Sequence, residues 1–363
     1  MVARTRSTMD RRRFLKLSGS GLAGLMVGGF ATGKKQVAMA QATKSSGAPI
    51  NAPAVSTGRK IVIRLGAVTN PSYAPQYDAY EYFGKKLVDA TGGAVEWKSY
   101  PSSQLGSNRD ITEGVRMGSI EMTPGGAELG QWVPVWDVTA LPYLFDDYEQ
   151  TWKVMDGEVG KIVEEQVEAA GFKLIGFWAG ETRNVYTTKR PVYKPDDLKG
   201  LKIRVQSNKM HVAAFNALGA IATPMGFNEV YSALQQGVLD GGEQGPLAFA
   251  DMKFYEVAKH YSLTKHLVEG VGCPFLMGKK FFDGLPADIR KLVVDIGKEA
   301  TALQRKIITE KMGQWLANLK GKGITVIEVD TEPFAKVVRE KVFPAVEGKD
   351  RQDLITKILR ARV

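Results

Sequence analysis

Side chains able to do covalent or metal chemistry are scarce in this chain. Its 363 residues include three histidines, His211, His260 and His266, and one cysteine, Cys273. The histidines fit neither a His-Glu-x-x-His helix nor another zinc spacing, and each reads as a surface or capping residue. Cys273 stands before Pro274 in the apolar stretch Val271 to Met277, with no sequence neighbour to lower its pKa. It reads as a buried structural thiol, not a nucleophile. A single thiol also excludes an intrachain disulfide framework and cysteine-rich metal sites. The carboxylate pairs Asp146-Asp147 and Asp196-Asp197 fall at loop or helix-start positions. There, capping of free backbone N–H groups accounts for them without acid–base chemistry. Beyond residue 40 there is no Walker A loop, no Gly-x-Gly-x-x-Gly after a strand and no Gly-x-Ser-x-Gly elbow. No catalytic residue, metal or cofactor is implied.

Arginine is the remaining candidate. Leu201, Ile203 and Val205 alternate with Lys202, Arg204 and Gln206, the period of a half-buried strand with Arg204 on its polar face. That pattern alone leaves open a solvated arginine or one that faces a ligand. The elements around it alternate. Ile61 to Leu65 and Val95 to Tyr100 read as strands, separated by a helix in which Tyr80, Phe83, Leu87 and Ala90 recur before Gly92-Gly93. A short helix containing Ile111 and Val115, a strand near Ile120 to Thr123, an amphipathic helix from about Tyr148 to Ala170 and a strand from Lys173 to Trp178 follow. The second part repeats this grammar with a strand at Leu201 to Val205 and helices at His211 to Leu218 and Phe227 to Gln236, capped by Gly219 and Gly237. Such alternation argues for α/β units with mostly parallel sheets. The longest periodic stretch, Pro286 to Lys320, would form a helix about 50 Å long at 1.5 Å per residue. That exceeds the width of a domain of about 130 residues, so the helix is expected to lie across two lobes. A strand at Ile324 to Val329 and a helix after Pro333 finish the chain.

The formal charge of +10 would suggest nucleic acid or an anionic membrane until it is located. The first forty residues carry eight basic side chains against Asp10 alone, so they hold +7 of it. Arg11-Arg12-Arg13-Phe14-Leu15-Lys16 resembles the twin-arginine export motif. A Gly-rich apolar run from Leu17 to Phe30 follows, then Ala38-Met39-Ala40, a small-x-small cleavage site that would part Ala40 from Gln41. The run of about fourteen residues is shorter than the ~20 that span a bilayer, and no cysteine follows it for lipid attachment. Residues 41–59 read as a linker. The remainder, with a net charge near +3, gives no reason to expect nucleic acid or a permanent membrane anchor.

The segment Gly180 to Pro246 carries the most information. Its blocks Asp-Leu-Lys-Gly-Leu-Lys-Ile-Arg-Val (197–205), Ala-Leu-Gly-Ala (217–220), Thr223 to Gln235 and Gly237 to Glu243 closely resemble the substrate-binding subunits of tripartite ATP-independent periplasmic (TRAP) transporters, of the dicarboxylate-binding family. Tyr100 to Gly106 and Leu141 to Asp147 match as well, and the resemblance covers essentially all of residues 60–345. It implies two α/β lobes joined by crossing strands, a long helix spanning both, and a ligand enclosed between them. Lobe I would comprise 60–180 plus about 269–308, and lobe II 181–268 plus about 309–363.

In this family the arginine of the Ile-Arg-Val strand clamps the ligand carboxylate, and its position here is Arg204. A planar fork of N–H donors matches a carboxylate, and guanidinium does not lose its charge on burial. The resemblance also implies that Arg183 orients the ligand, that Phe227 packs on it, and that Gln244 offers an amide where many members have asparagine. Trp178, Asn70, Tyr73 and Asn108 are expected to border the cleft. The implied function is capture of a small organic acid in the periplasm and delivery to TRAP-type permease subunits driven by an ion gradient. The alternatives are an exported oxidoreductase, suggested by the twin-arginine motif, and a binding protein serving an ATP-driven importer or a sensor.

Overall fold

The computed structural model of the protein describes residues 60–362. The export motif at Arg11 and Arg12, the cleavage position Ala40–Gln41 and the linker 41–59 lie outside the described residues. In chain order the strands are β1 (Ile61–Gly66), β2 (Val95–Tyr100), β3 (Met122–Pro124), β4 (Phe172–Gly176), β5 (Thr182–Thr187), β6 (Lys202–Val205), β7 (Ile221–Pro224), β8 (Gly241–Gln244), β9 (His260–Val268), β10 (Phe275–Gly278) and β11 (Thr325–Glu328). They form two sheets, ordered β2-β1-β3-β10-β4 in lobe I and β11-β9-β5-β8-β6-β7 in lobe II.

Both sheets are mixed, whereas the sequence pattern suggests mostly parallel ones. In lobe I, β1 pairs in parallel with β2 and β3, and β10 runs antiparallel to β3 and β4. In lobe II, β5 is antiparallel to both β8 and β9. The cause is the chain path. β3 runs toward the crevice between the lobes and ends beside Gly125, while β10 returns from that crevice just after Cys273, so the two must run oppositely.

Two crossings join the lobes, Phe177 to Glu181 between β4 and β5 and Glu269 to Pro274 between β9 and β10. They are hydrogen bonded to each other: Gly180 N donates to Glu269 O at 2.7 Å and Cys273 N to Trp178 O at 3.0 Å. The long helix Ala287–Lys320, about 51 Å at 1.5 Å per residue, lies along them. Ile289, Val293, Ile296 and Ala300 join Tyr80, Phe83 and Leu87 in the lobe I core. Near its other end Leu319 joins Phe249, Tyr261 and Leu263 in the lobe II core. At the midpoint the Gln304 amide bonds both backbone groups of Ala179, accepting from its N–H at 2.9 Å and donating to its carbonyl at 2.7 Å. Buried in a low dielectric, this paired bond ties helix to crossing in one register.

Several elements differ from the sequence pattern. The stretch 148–170 is two helices, Tyr148–Met155 and Glu158–Ala169, interrupted at Asp156-Gly157 where the backbone of Gly157 leaves the helical region. The segment starting at Phe227 begins as a 3-10 turn, Phe227–Glu229, before the helix Val230–Gln235. The last helix, Lys349–Ala361, packs on lobe I elements, although the sequence reading groups 309–363 with lobe II. Its Leu354, Ile355 and Ile358 share a core with Val138, Leu141 and Val163, and Arg362 donates to Leu144 O at 2.6 Å. A helix buries its apolar stripe wherever a complementary face is open, irrespective of its place in the chain. The capping readings hold: Asp147 accepts from Gln150 N at 2.7 Å, and Asp197 accepts from Tyr193 N and Lys194 N.

Gly297 lets the long helix approach β4 closely, since a Cβ there would meet Ile175 Cγ2 at 2.3 Å. Gly297→Val should overpack this contact and lower stability by about 1–3 kcal/mol. Gly313→Ala, with open space around it, should instead raise stability by up to about 1 kcal/mol through helix propensity. Urea unfolding followed by circular dichroism checks both signs.

Candidate functional site

A cavity of about 260 Å³ lies between the lobes at the crevice end of the strands, where open α/β sheets present loops to ligands. Arg204, Phe227 and Gln244 line it from lobe II, and Tyr73, Asn108 and Glu128 from lobe I. Arg183, Glu269 and Cys273 lie where the crossings meet it.

Arg204 is near the end of β6, and its side chain is 4% exposed. Nε and Nη2 donate to the Met225 carbonyl at 3.0 and 2.8 Å, and the guanidinium lies 5.9 Å from the centroid of the Phe227 ring. Among the described residues no carboxylate forms an ion pair with it. Burial lowers its pKa, opposed by the field of Glu243, yet guanidinium stays protonated at any physiological pH. The result is a buried cation with donors left for a ligand anion.

Arg183 is treated differently. It is the centre of a buried cluster in which Nε donates to Glu243 Oε2, Nη2 to Glu243 O at 2.7 Å, and Nη1 to Glu269 Oε2 at 3.3 Å. Glu243, fully buried on β8, also faces His211 Nδ1 at 3.7 Å and His266 Nε2 at 3.4 Å. Burial pushes the Glu243 carboxyl up, but Arg183 and the two histidines outweigh it and hold it well below the usual carboxylate range. Burial lowers the pKa of His266, partly offset by Glu243. The Thr264 hydroxyl accepts from Val185 N at 3.1 Å and meets His266 Nδ1 at 2.9 Å. That hydroxyl can donate to Nδ1, leaving the imidazole proton on Nε2 toward Glu243. A fourth buried acid, Glu181, accepts from Leu247 N and Ala248 N at 2.6 and 2.9 Å, and burial pushes it up to about 7 against those donors.

Six of the eight sequence-predicted residues line the cavity: Arg204, Arg183, Gln244, Phe227, Tyr73 and Asn108. Asn70 does not. Its Nδ2 donates to Asp251 Oδ2 at 2.9 Å, and Ser72 bonds the same carboxylate, so it joins a lobe I loop to the helix Pro246–Asp251 of lobe II. Trp178 is a correction: it is fully buried, stacked on Phe275 at 4.1 Å, with Nε1 donating to Thr301 Oγ1 at 3.0 Å. An indole at the start of a crossing is large enough to serve as core for the joint itself. The histidines are a second correction, since His211 and His266 are 1% and 2% exposed and flank Glu243. Cys273 is only partly buried and lies on the cavity wall, with burial raising its pKa.

Sequence reasoning did not single out Glu128, Glu243 or Glu269. Glu243 ends the quoted block 237–243, where an acid among small and apolar residues signals a buried partner. Glu128 follows Gly126, at which a Cβ would sit 2.7 Å from its Oε2.

The model of the bacterial extracellular solute-binding protein family 7, DctP, matches residues 66–349. The chain belongs to this family. It is 36% identical over 267 residues to the C4-dicarboxylate-binding periplasmic protein DctP of Rhodobacter capsulatus, covering 73% of this chain and 79% of that one. Among solved structures, a TRAP periplasmic solute-binding protein from Sulfitobacter sp. NAS-14.1 with bound β-D-galacturonate superposes with a TM-score of 0.78 at 32% identity, covering 82% of this chain and 99% of that one. One from Chromohalobacter salexigens with bound D-glucuronate gives 0.79 at 29% identity, covering 82% and 99%. The two-lobed fold and the kinship to TRAP solute-binding proteins are thus shown together. The family 7 chain places its cavity between the lobes, and its buried charges converge there.

Removing one partner of a buried ion cluster leaves an uncompensated charge. Glu243→Gln should therefore cost about 3–5 kcal/mol of stability at neutral pH. Because the folded-state pKa of Glu243 is depressed, its contribution is present above the unfolded value of about 4.3 and is lost as pH falls through the lower, folded one. The gap between wild type and variant should be constant above about pH 5 and shrink below about 4. Unfolding midpoints measured across pH test this.

Proposed function

We propose that the protein is the solute-binding subunit of a TRAP transporter that captures a small organic acid through an Arg204–carboxylate salt bridge. In this reading it acts in the periplasm, reaches it by the twin-arginine route, and hands its ligand to an ion-gradient-driven permease. One observation carries the proposal: a guanidinium 4% exposed, without a carboxylate partner among the described residues, borders an inter-lobe cavity. A buried charge of this kind lacks compensation until an anion arrives. C4-dicarboxylates, galacturonate and glucuronate, named with the relatives above, share the carboxylate that the fork of Arg204 matches. Arg183 supports the site by position and field, since most of its donors are committed to Glu243 and Glu269. Phe227 supplies a face on which guanidinium and ligand stem can rest. No covalent step is involved.

Recognition by closure follows from this division of labour. A ligand held by Arg204 in lobe II must also satisfy the lobe I wall before the halves can shut. The outer faces of the closed form would dock transiently on the permease.

A thermal-shift screen of the purified protein against mono- and dicarboxylates, keto acids and sugar acids should find a ligand that raises the melting temperature by mass action. Arg204→Ala should weaken that ligand by about 100-fold or more, the loss typical of removing one member of a buried charge pair. Unchanged binding would sink the assignment. Replacing Arg11 and Arg12 together by lysine should keep the protein in the cytoplasm, and undiminished export would refute the twin-arginine route.

A further inference from the structure

Beside the cavity, a lobe II helix start is tied to lobe I by one buried amide. Asn208, 5% exposed, caps the helix Lys209–Ala217, its Oδ1 accepting from Met210 N at 2.8 Å and from His211 N at 3.4 Å. Its Nδ2 reaches across to lobe I, donating to Ala127 O at 3.0 Å and to Asp137 Oδ1 at 2.8 Å. Asp137, in the short helix Trp136–Thr139, is 4% exposed. Its carboxylate has no room to turn away, since even a Cβ on Gly130 would collide with Oδ1.

The charge of Asp137 is thinly compensated. Among the described residues Asn208 is its only hydrogen-bond donor, and its salt-bridge partner, Arg351 of the last helix, stands with Nη1 3.7 Å from Oδ2. The buried Nε of Arg351 has no partner among the described residues. The other charged or titratable groups on the elements around Asp137 are directed elsewhere: Lys209 is exposed, His211 faces Glu243, and Glu128 accepts from Thr112. A carboxylate with one neutral donor and a guanidinium beyond hydrogen-bond distance has not recovered the hydration it lost. Burial accordingly pushes its carboxyl up to about 6, against the field of Arg351, the bond from Asn208 and the fields of Lys209 and His211.

We propose that Asp137 and Asn208 form an acid-strengthened clasp between the lobes, with Arg351 as its counter-charge. The clasp adjoins the cavity on both sides. Gln206 and Ser207, just before Asn208, line it from lobe II, and Glu128, just after Ala127, lines it from lobe I. Neither Asp137 nor Asn208 is in the cavity wall, so the clasp acts on where the walls stand and not on ligand contacts. Parting the two segments would return Asp137 to water, where an aspartic acid titrates near about 3.9. The closed clasp therefore holds the proton better than the parted one, and acid favours the closed form. That advantage is fully present below about pH 4 and is lost as the pH rises through about 6.

The experiment is hydrogen exchange of the purified protein over a series from about pH 5 to about pH 8, corrected for the intrinsic pH dependence of exchange. The segments 125–139 and 206–211 are read against β1 and β2 as reference. Relative to those strands, both segments should be about 10-fold more protected at the acid end. Asp137→Asn keeps an acceptor for Asn208 and has no proton to lose, so its protection should not change across the series. Arg351→Gln removes a charge that favours the ionised form, and its transition should lie at higher pH than that of the wild type. A role confined to packing would not move that transition, and this variant decides the matter even if Asp137→Asn does not fold. No shift in the wild type, an equal shift in the reference strands, an undiminished shift in Asp137→Asn, or an unmoved transition in Arg351→Gln would each overturn the inference.

Discussion

Everything at the site depends on keeping a guanidinium buried with no carboxylate partner among the described residues. Desolvating Arg204 costs free energy, and the protein offsets it with dipoles and distant charge: the Met225 carbonyl, the face of Phe227, and the field of Glu243. A carboxylate within contact distance would be cheaper for folding and would block the site. The nearby acids are engaged instead by Arg183, which draws Glu243 and Glu269 into a cluster of its own. Two arginines, on β5 and β6 with β8 between them, thus differ: Arg183 is saturated by carboxylates and Arg204 is not.

The fold makes that arrangement possible through the crossings. Gly180 and Glu269, on neighbouring crossings, are hydrogen bonded, and Glu269 reaches both Arg183 and Gln206. The ion cluster is therefore built into the joint where the lobes meet. The long helix locks the same joint from behind through Gln304, and Trp178 fills it. A joint this well packed has few soft degrees of freedom. Arg204 stands on one lobe and Asn108 and Glu128 on the other, and all three line the cavity between them. The rim contact of Asn70 and Ser72 with Asp251 spans the same gap.

Much of this was legible in the chain. The strand period around Arg204, the long stripe from Pro286 to Lys320 and the caps at Asp147 and Asp197 are local signals, decided within a few turns of backbone. The blocks between Gly180 and Pro246 carried the kinship. Trp178, the histidines and the last helix were misread for a shared reason: their environment is made by residues far away in the chain. His211 looks like a polar residue near a helix start, and only β8 passing beneath it turns it into a buried neighbour of Glu243. The helix Lys349–Ala361 shows an ordinary amphipathic stripe that does not say which lobe will cover it.

The sequence by itself determined the kind of protein, its alternating elements, the helix long enough for two lobes, and the arginine suited to a carboxylate. The elements and the long helix follow from periodicity, whereas the kind of protein and the expectation for Arg204 follow from the resemblance of the blocks between Gly180 and Pro246. Only the tertiary structure decided that Arg204 has no ion-pair partner among the described residues while Arg183 is neutralised, and that Trp178 is core. It alone packed Glu128 and Asn108 against Gly126. Those outcomes are set by which groups share a low-dielectric space, where a few ångströms separate a satisfied charge from an available one.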